Sequence, residues 1–210
     1  MDAADWDERY RAADLVWSRG PNMFVEQLAA PLQPGTALDV AAGEGRNAIW
    51  LAERGWTVTA VDFSGVALSR ARSLAAERLG PRAATLTTVQ ADALTYRPRA
   101  RAFDLVVVAY LQLRPDDRRT ALRAAADGVA AGGRLLVVAH DSANLDHGFG
   151  GPSDPTVLYS AADAAADVDG TGLSVLREER VTRRVTTADG ERVALDCLLL
   201  AERPTSAAVS

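Results

Sequence analysis

Apolar residues fall along this chain in two rhythms that take turns. From residue 36 onward, short apolar runs at 36–40, 57–61, 85–90, 103–109 and 134–139 alternate with stretches at 46–54, 66–79 and 115–129, where apolar residues recur every three or four positions. The runs, "DLVVVAY" above all, are apolar throughout, as strands covered on both faces are. Strand, helix, strand in this order predicts a parallel sheet under helices. The pattern changes after residue 141: a polar loop, "DSANLDHGFGGPSDPT", leads to a helix at 160–168. Then "LSVLREERVTRRVTT" and "ERVALDCLLLAER" flank "ADG", a hairpin signal. The last two strands are therefore expected to be antiparallel, giving seven strands, mostly parallel, with a closing hairpin and helices on both faces.

Residues 1–35 do not share this rhythm. Two short helices are expected, at 6–17 and 21–30, broken by "SRGPN" and left through "PLQPG". This segment is read as an N-terminal helical unit, residues 36–204 as the main domain, and 205–210, "TSAAVS", as a disordered tail.

Composition narrows the function. The chain has 210 residues, enough to bury a full core without staples. A net charge of -5 argues against a partner rich in phosphates, so no nucleic acid is expected. The one cysteine, Cys197, excludes an internal disulfide and a cysteine-cluster metal site, and sits in an apolar strand as core. No apolar run approaches the roughly 20 residues of a membrane span, and the acidic start "MDAADWDE" is unlike a signal peptide. A cytoplasmic protein without metal is the expectation.

The chemistry concentrates in "ALDVAAGEGRNAIWLAERGWTVTAVDFS", a strand, a turn of small residues, a helix and a strand ending in an acid. A turn that leaves a parallel strand for a helix needs small residues where the backbone bends and a ligand comes close; Ala41, Ala42, Gly43 and Gly45 supply them. "GEGRNA" satisfies the loose dinucleotide fingerprint, so an NAD(P)-dependent oxidoreductase is one reading, although the chain lacks any Tyr-x-x-x-Lys pair. Asp39, at the strand end before the turn, points elsewhere: a carboxylate is unfavourable beside a pyrophosphate and welcome beside an ammonium. With Asp62 and Asp92, it puts three acids on successive strand ends. They match the ammonium, sulfonium, ribose diol and adenine amine of S-adenosylmethionine. Each acid also has a purely structural option, Asp39 and Asp62 as helix caps and Asp92 in an Asx-turn.

"ALDVAAGEGRNAIWLAERG" and "VTAVDFS" resemble the first two motifs of the class I S-adenosylmethionine-dependent methyltransferases, and "GEGRNA" with "WDERY" is similar to the tellurite-resistance and thiopurine type, small enzymes of one domain. The resemblance implies a Rossmann-like fold, S-adenosyl-L-methionine as cofactor with S-adenosyl-L-homocysteine as product, and a small-molecule acceptor through S, Se or Te, N or O. It further implies Asp62 on the ribose hydroxyls, Phe63 along the adenine, Asp92 and Ala93 at the adenine edge, and the backbone at Ala41, Gly43 and Gly45 beside the methionyl group, with Asp39, Asn47 and Ala109 completing the cofactor site. Ala41 stands where the family has its first glycine. In similar methyltransferases the N-terminal segment covers the cofactor, which assigns Arg9, Tyr10 and Trp17 to it; Trp6 is read as a staple of the first helix to the sheet. "AYLQL" lacks the Asn-Pro-Pro-Tyr type sequence used on bases or glutamine amides.

Acceptor chemistry is expected beyond the fourth and fifth strands. Tyr110 follows the fourth, and both histidines, His140 and His147, follow the fifth beside Asp141 and Asp146. His140 and Tyr110 are the catalytic candidates, His140 as a general base, with residues 144–155 as a possible substrate lid. A non-catalytic protein that only binds S-adenosylmethionine is the third reading.

Overall fold

The apolar runs become the strands of one sheet. The computed structural model describes residues 3–12 and 20–205. These hold β1 (Thr36–Val40), β2 (Thr57–Asp62), β3 (Leu86–Gln90), β4 (Phe103–Ala109), β5 (Val129–His140), β6 (Ser174–Thr187) and β7 (Gly190–Glu202), in the order β3-β2-β1-β4-β5-β7-β6. β1 to β5 are parallel, while β7 runs antiparallel to both β5 and β6. The helices are α1 (Ala3–Ala12), α2 (Met23–Ala29), α3 (Arg46–Glu53), α4 (Gly65–Leu79), α5 (Pro115–Asp127), α6 (Asn144–His147) and α7 (Ala161–Val168).

Because the central strands are apolar on both sides, each face of the sheet has its own core. On one face Val107, Leu136, Val138 and Leu198 pack with Val25 of α2, Ile49 and Leu51 of α3 and Ala75 of α4. On the other, Val106, Val108, Val137 and Leu199 meet Leu122 of α5, Ala164 and Val168 of α7, and Tyr159. Each wholly buried Val, Leu or Ile side chain among them contributes roughly 1.5–3 kcal/mol. Right-handed crossovers carry the chain outward from β1 over one face and from β4 over the other. The crevice where these directions part, above the carboxyl ends of β1 and β4, is where an open sheet of this kind takes its ligand.

Four details depart from the sequence pattern. β5 starts at Val129, five residues earlier than the apolar run, because Phe103 pairs with Val129 before the register shifts to Leu105 with Arg134. Gly133 permits that bulge, since a Cβ there would lie 2.8 Å from the Phe103 carbonyl. α1 starts at Ala3, three residues before the helix expected at 6–17, while residues 13–17, Trp17 among them, and 206–210 lie outside the described residues. α2 starts at Met23, capped by the Asn22 side chain, which accepts from the amides of Phe24 and Val25. The polar loop holds the single turn α6 and a 3-10 turn at Pro155–Val157.

The closing hairpin is longer than the sheet it joins. β5 ends at His140, opposite Asp196, whereas the β6–β7 ladder continues to Thr187 opposite Gly190. Its tip stands beyond the rim, next to the fifth strand's end. Among the described residues, no helix is long and apolar enough to cross a membrane.

Candidate active site

Asp39, the last residue but one of β1, is 1% exposed. Its Oδ2 accepts from the Ala48 amide in the first turn of α3 at 3.1 Å, which is the capping role. Oδ1 has no hydrogen-bond partner among the described residues although it is buried. Burial pushes the Asp39 carboxyl up to about 7, against the pull of the Ala48 amide and Arg46. Beyond it, three residues of the turn are left-handed: Ala41 (φ 58°), Gly43 (φ 55°) and Gly45 (φ 78°). Gly45 also meets α4, where a Cβ would lie 3.0 Å from that of Ala71. Ala41 adopts this backbone without being glycine, at a cost of about 1–2 kcal/mol.

Asp62, at the end of β2, ties this turn to α4. Its Oδ2 accepts from the Gly43 amide at 2.8 Å and its Oδ1 from the Ser64 amide at 2.9 Å. Burial raises its carboxyl, while those two amides oppose the rise. The helix is capped by the Ser64 hydroxyl, not by Asp62 as one structural option had it. That hydroxyl in turn donates to Asp7 of α1 at 2.5 Å, so α1 docks on the start of α4. Asp92 is exposed, with Oδ1 accepting from the Leu94 amide at 2.8 Å in an Asx-turn; Phe63 and Ala93 flank these ends half-buried.

Beyond β4 and β5 the polar side chains converge. Tyr110 is left-handed (φ 59°), and its hydroxyl donates to Asp196 Oδ2 at 2.9 Å and accepts from Asn22 Nδ2 at 3.2 Å. Asn22 is anchored by its own amide on Asn47 Oδ1 at 2.9 Å, so Asn47 holds the entrance to α2 in place. The guanidinium groups of Arg46 and Arg183 each lie 5.6 Å from the centre of the Tyr110 ring. Burial, followed by the Asp196 charge, pushes the Tyr110 hydroxyl well above the usual phenol range. Ala109 precedes it, half-buried.

His140 lies against Tyr110 with ring centres 4.9 Å apart, and its amide donates to Gln112 Oε1 at 2.8 Å. Its Nδ1 is 3.4 Å from Asp196 Oδ1, and neither atom makes a hydrogen bond. Burial lowers the histidine below its ordinary range, with Asp196 pulling the other way. Gly151 covers the ring: a Cβ there would come within 2.9 Å of Nδ1. On the N-terminal side Tyr10 is buried beside Trp6, their ring centres 5.6 Å apart, and Tyr10 acts electrostatically on Arg46, so α1 reaches the same region. Arg9 stacks on Trp6 at 4.9 Å.

The structure thus gathers Asp39, Asp62 and the left-handed turn on one side, and Tyr110 and His140 on the other. His147 does not join them: it is exposed at the end of α6, and its side chain makes no hydrogen bond among the described residues. Four members of the acceptor-side cluster, Asp196, Arg183, Asn22 and Gln112, went unread in the sequence. Asp196 left a trace there, a lone acid inside "ALDCLLLA". Cys197, next to it, is buried core as expected, its thiol pushed up to about 12 by burial.

Residues 37–133 match the family model described as "Methyltransferase domain". No curated protein matches the sequence. Among solved structures, one from work on the conversion of a disulfide bond into a thioacetal group during echinomycin biosynthesis is similar over 98% of this chain and 94% of its own, with a TM-score of 0.74 at 22% identity. The glycopeptide N-methyltransferase MtfA, complexed with S-adenosylmethionine, matches over 86% of this chain and 93% of its own, with a TM-score of 0.64 at 20% identity. TehB from Haemophilus influenzae matches over 97% of this chain and 68% of its own, with a TM-score of 0.68 at 16% identity. At these identities the likeness is one of fold.

Proposed function

We propose that the chain, whose residues 37–133 match a methyltransferase domain model, is an S-adenosylmethionine-dependent methyltransferase, and that its acceptor is a small molecule bound beside Tyr110 and His140. The observation that carries the reading is Asp39 Oδ1, a buried carboxylate oxygen without a partner among the described residues. An orphaned buried acceptor is costly unless a ligand answers it. A cation fits and a pyrophosphate does not.

The remaining residues fit the cofactor group by group. Asp39 takes the ammonium. The left-handed turn at Ala41, Gly43 and Gly45 leaves room for the methionyl chain. Asp62 already holds two amides, but an ionised carboxylate has about four acceptor positions, so ribose hydroxyls can add to it. Phe63, Ala93 and Asp92 accompany the adenine, and the Asp92 Oδ2 takes no hydrogen bond among the described residues. Tyr10 and Arg9 of α1 close the site from the N-terminal side.

When bound, S-adenosylmethionine supplies a methyl group on a sulfonium, open to displacement in line. The chain's part is to align the acceptor, exclude water and receive a proton where the acceptor carries one. Tyr110 is held by Asn22 and Asp196 and so presents a fixed ring face toward that line. His140 is neutral at physiological pH, since burial lowers it, and is free to accept a proton from a hydroxyl or amine.

The test is calorimetric titration of the full chain with S-adenosylhomocysteine, beside NAD and NADP at equal concentration. Micromolar binding of S-adenosylhomocysteine alone is expected, and Asp62→Ala should raise its Kd at least tenfold, about 1.4 kcal/mol. Binding of a nicotinamide dinucleotide instead would overturn the reading, and binding of none would leave only the fold.

A further inference from the structure

The register of the closing hairpin sets Asp196 directly across from His140, the last residue of β5. Cross-strand partners share a face, so the two side chains meet on the acceptor side of the sheet. Asp196 is completely buried, and its Oδ2 already accepts from the Tyr110 hydroxyl at 2.9 Å and from Arg183 Nε at 2.8 Å. Paired with that guanidinium, it is an acceptor-only carboxylate. Its Oδ1 and the Nδ1 of His140 are 3.4 Å apart, both buried and both without a hydrogen bond. Among the described residues, no other group is in place to satisfy either atom.

We propose that Asp196 is a positioning residue for His140: it holds the imidazole proton on Nδ1, so that Nε2 is left as the proton acceptor on the acceptor side. The two orphaned atoms answer each other once the imidazole donates from Nδ1 and the ring and carboxylate turn and close on each other to a normal hydrogen bond. The opposite tautomer would set a nitrogen lone pair against a carboxylate. The remaining neighbours keep the ring from turning away: Tyr110 on one side, Gly151 against the ring, and Gln112 holding the backbone through the His140 amide. The charged and titratable groups that bear on the imidazole are Asp196 and Arg183, with Tyr110 against its ring and Arg46 beyond Tyr110.

This inference rests on the methyltransferase reading only for its consequence. An acceptor hydroxyl or amine gives its proton to His140 Nε2 as its lone pair takes the methyl; the bond to sulfur breaks, its electrons remain on the departing thioether, and the imidazolium left behind faces Asp196 until water removes the proton. The orientation of His140 is measurable without any acceptor.

The chain has two histidines, so 15N-histidine NMR of the whole protein gives two sets of ring signals, and the set lost in His147→Gln assigns the other to His140. At pH 8, His140 is expected as the Nδ1–H tautomer. In Asp196→Asn the amide oxygen can still accept from Tyr110 and Arg183 while its NH2 group faces the imidazole, so the proton should move to Nε2 and the apparent pKa of His140 should fall. An Nε2–H tautomer in the unaltered protein would overturn the proposal, and that measurement needs no variant to fold. An unchanged tautomer in a folded Asp196→Asn would also overturn it. Titration of the same samples with S-adenosylhomocysteine separates the two readings: Kd should agree within twofold between the unaltered chain and Asp196→Asn, whereas no binding to the unaltered chain counts against the cofactor and not against the pair.

Discussion

At the scale of single residues, Asp39 carries the main conflict in the molecule. One oxygen caps α3, while the other is buried without a hydrogen-bond partner among the described residues, and burial raises the carboxyl to about 7. A raised acid is favoured in its protonated form when folded, so stability falls as pH climbs from about 4 to about 7 and then levels off. Asp39→Asn keeps the bond from the Ala48 amide and removes the buried charge. Without ligand, the variant should be more stable than the unaltered chain by on the order of a few kcal/mol at pH 8 and should match it at pH 4, as read by denaturant unfolding. A gain of the same size at both pH values would show that ionisation is not its source. A ligand ammonium placed on Asp39 reverses the preference, so S-adenosylhomocysteine, which carries one, should release a proton on binding at pH 6, seen as buffer-dependent heat, and Asp39→Asn should abolish the release. The placement of the three acids was legible because each lies at or just past the end of an apolar run: Asp39 and Asp62 within β1 and β2, Asp92 two residues beyond β3. Asp196 was not, because only the register of an antiparallel pair, invisible in a single sequence, puts it opposite His140.

At the scale of elements, Asp7 ties α1 to the start of α4. Asp7 accepts from the Ser64 hydroxyl and from the Val66 amide at 3.5 Å, which places a carboxylate at the positive end of α4. Asp7→Ala should lower stability by no more than about 1 kcal/mol yet raise the Kd of S-adenosylhomocysteine several-fold, because α1 would no longer be seated over the turn. Denaturant titration and calorimetry on the same variant separate these effects, and an unchanged Kd would mean that α1 has no closing role. The sheet was well foretold: β1 and β4 occupy the bounds their apolar runs predict, since a strand buried on both faces can hardly be written otherwise. The early start of β5 was hidden by Gly132 and Gly133, which read as a connector and serve instead to bulge the strand. α6 escaped notice because one turn in a polar loop has no apolar period to announce it.

At the scale of the whole molecule, the two faces of the sheet do different work. The face away from the site is locked by Arg118 of α5, buried on Asp167 of α7 at 2.5 Å and lying 4.6 Å from the centre of the Tyr159 ring, with Arg119 on the second oxygen at 3.3 Å. Arg118→Met leaves Asp167 buried with a single half-exposed partner and should cost about 3–5 kcal/mol in denaturant unfolding. Affinity for S-adenosylhomocysteine in the folded variant should be unchanged, and a matching loss would show that the far face reaches the site. The rim is divided as well. Most groups assigned to the cofactor come from the ends of β1, β2 and β3 and the turn after β1, whereas residues 190–195 of β7 run past His140 for roughly 20 Å, beside β6 and away from those strands. An arm attached only at its base can be lengthened or shortened without disturbing the ends of β1, β2 and β3. The rim beside His140 is therefore open to redesign by grafting a different hairpin, with the rest of the sheet left as it is.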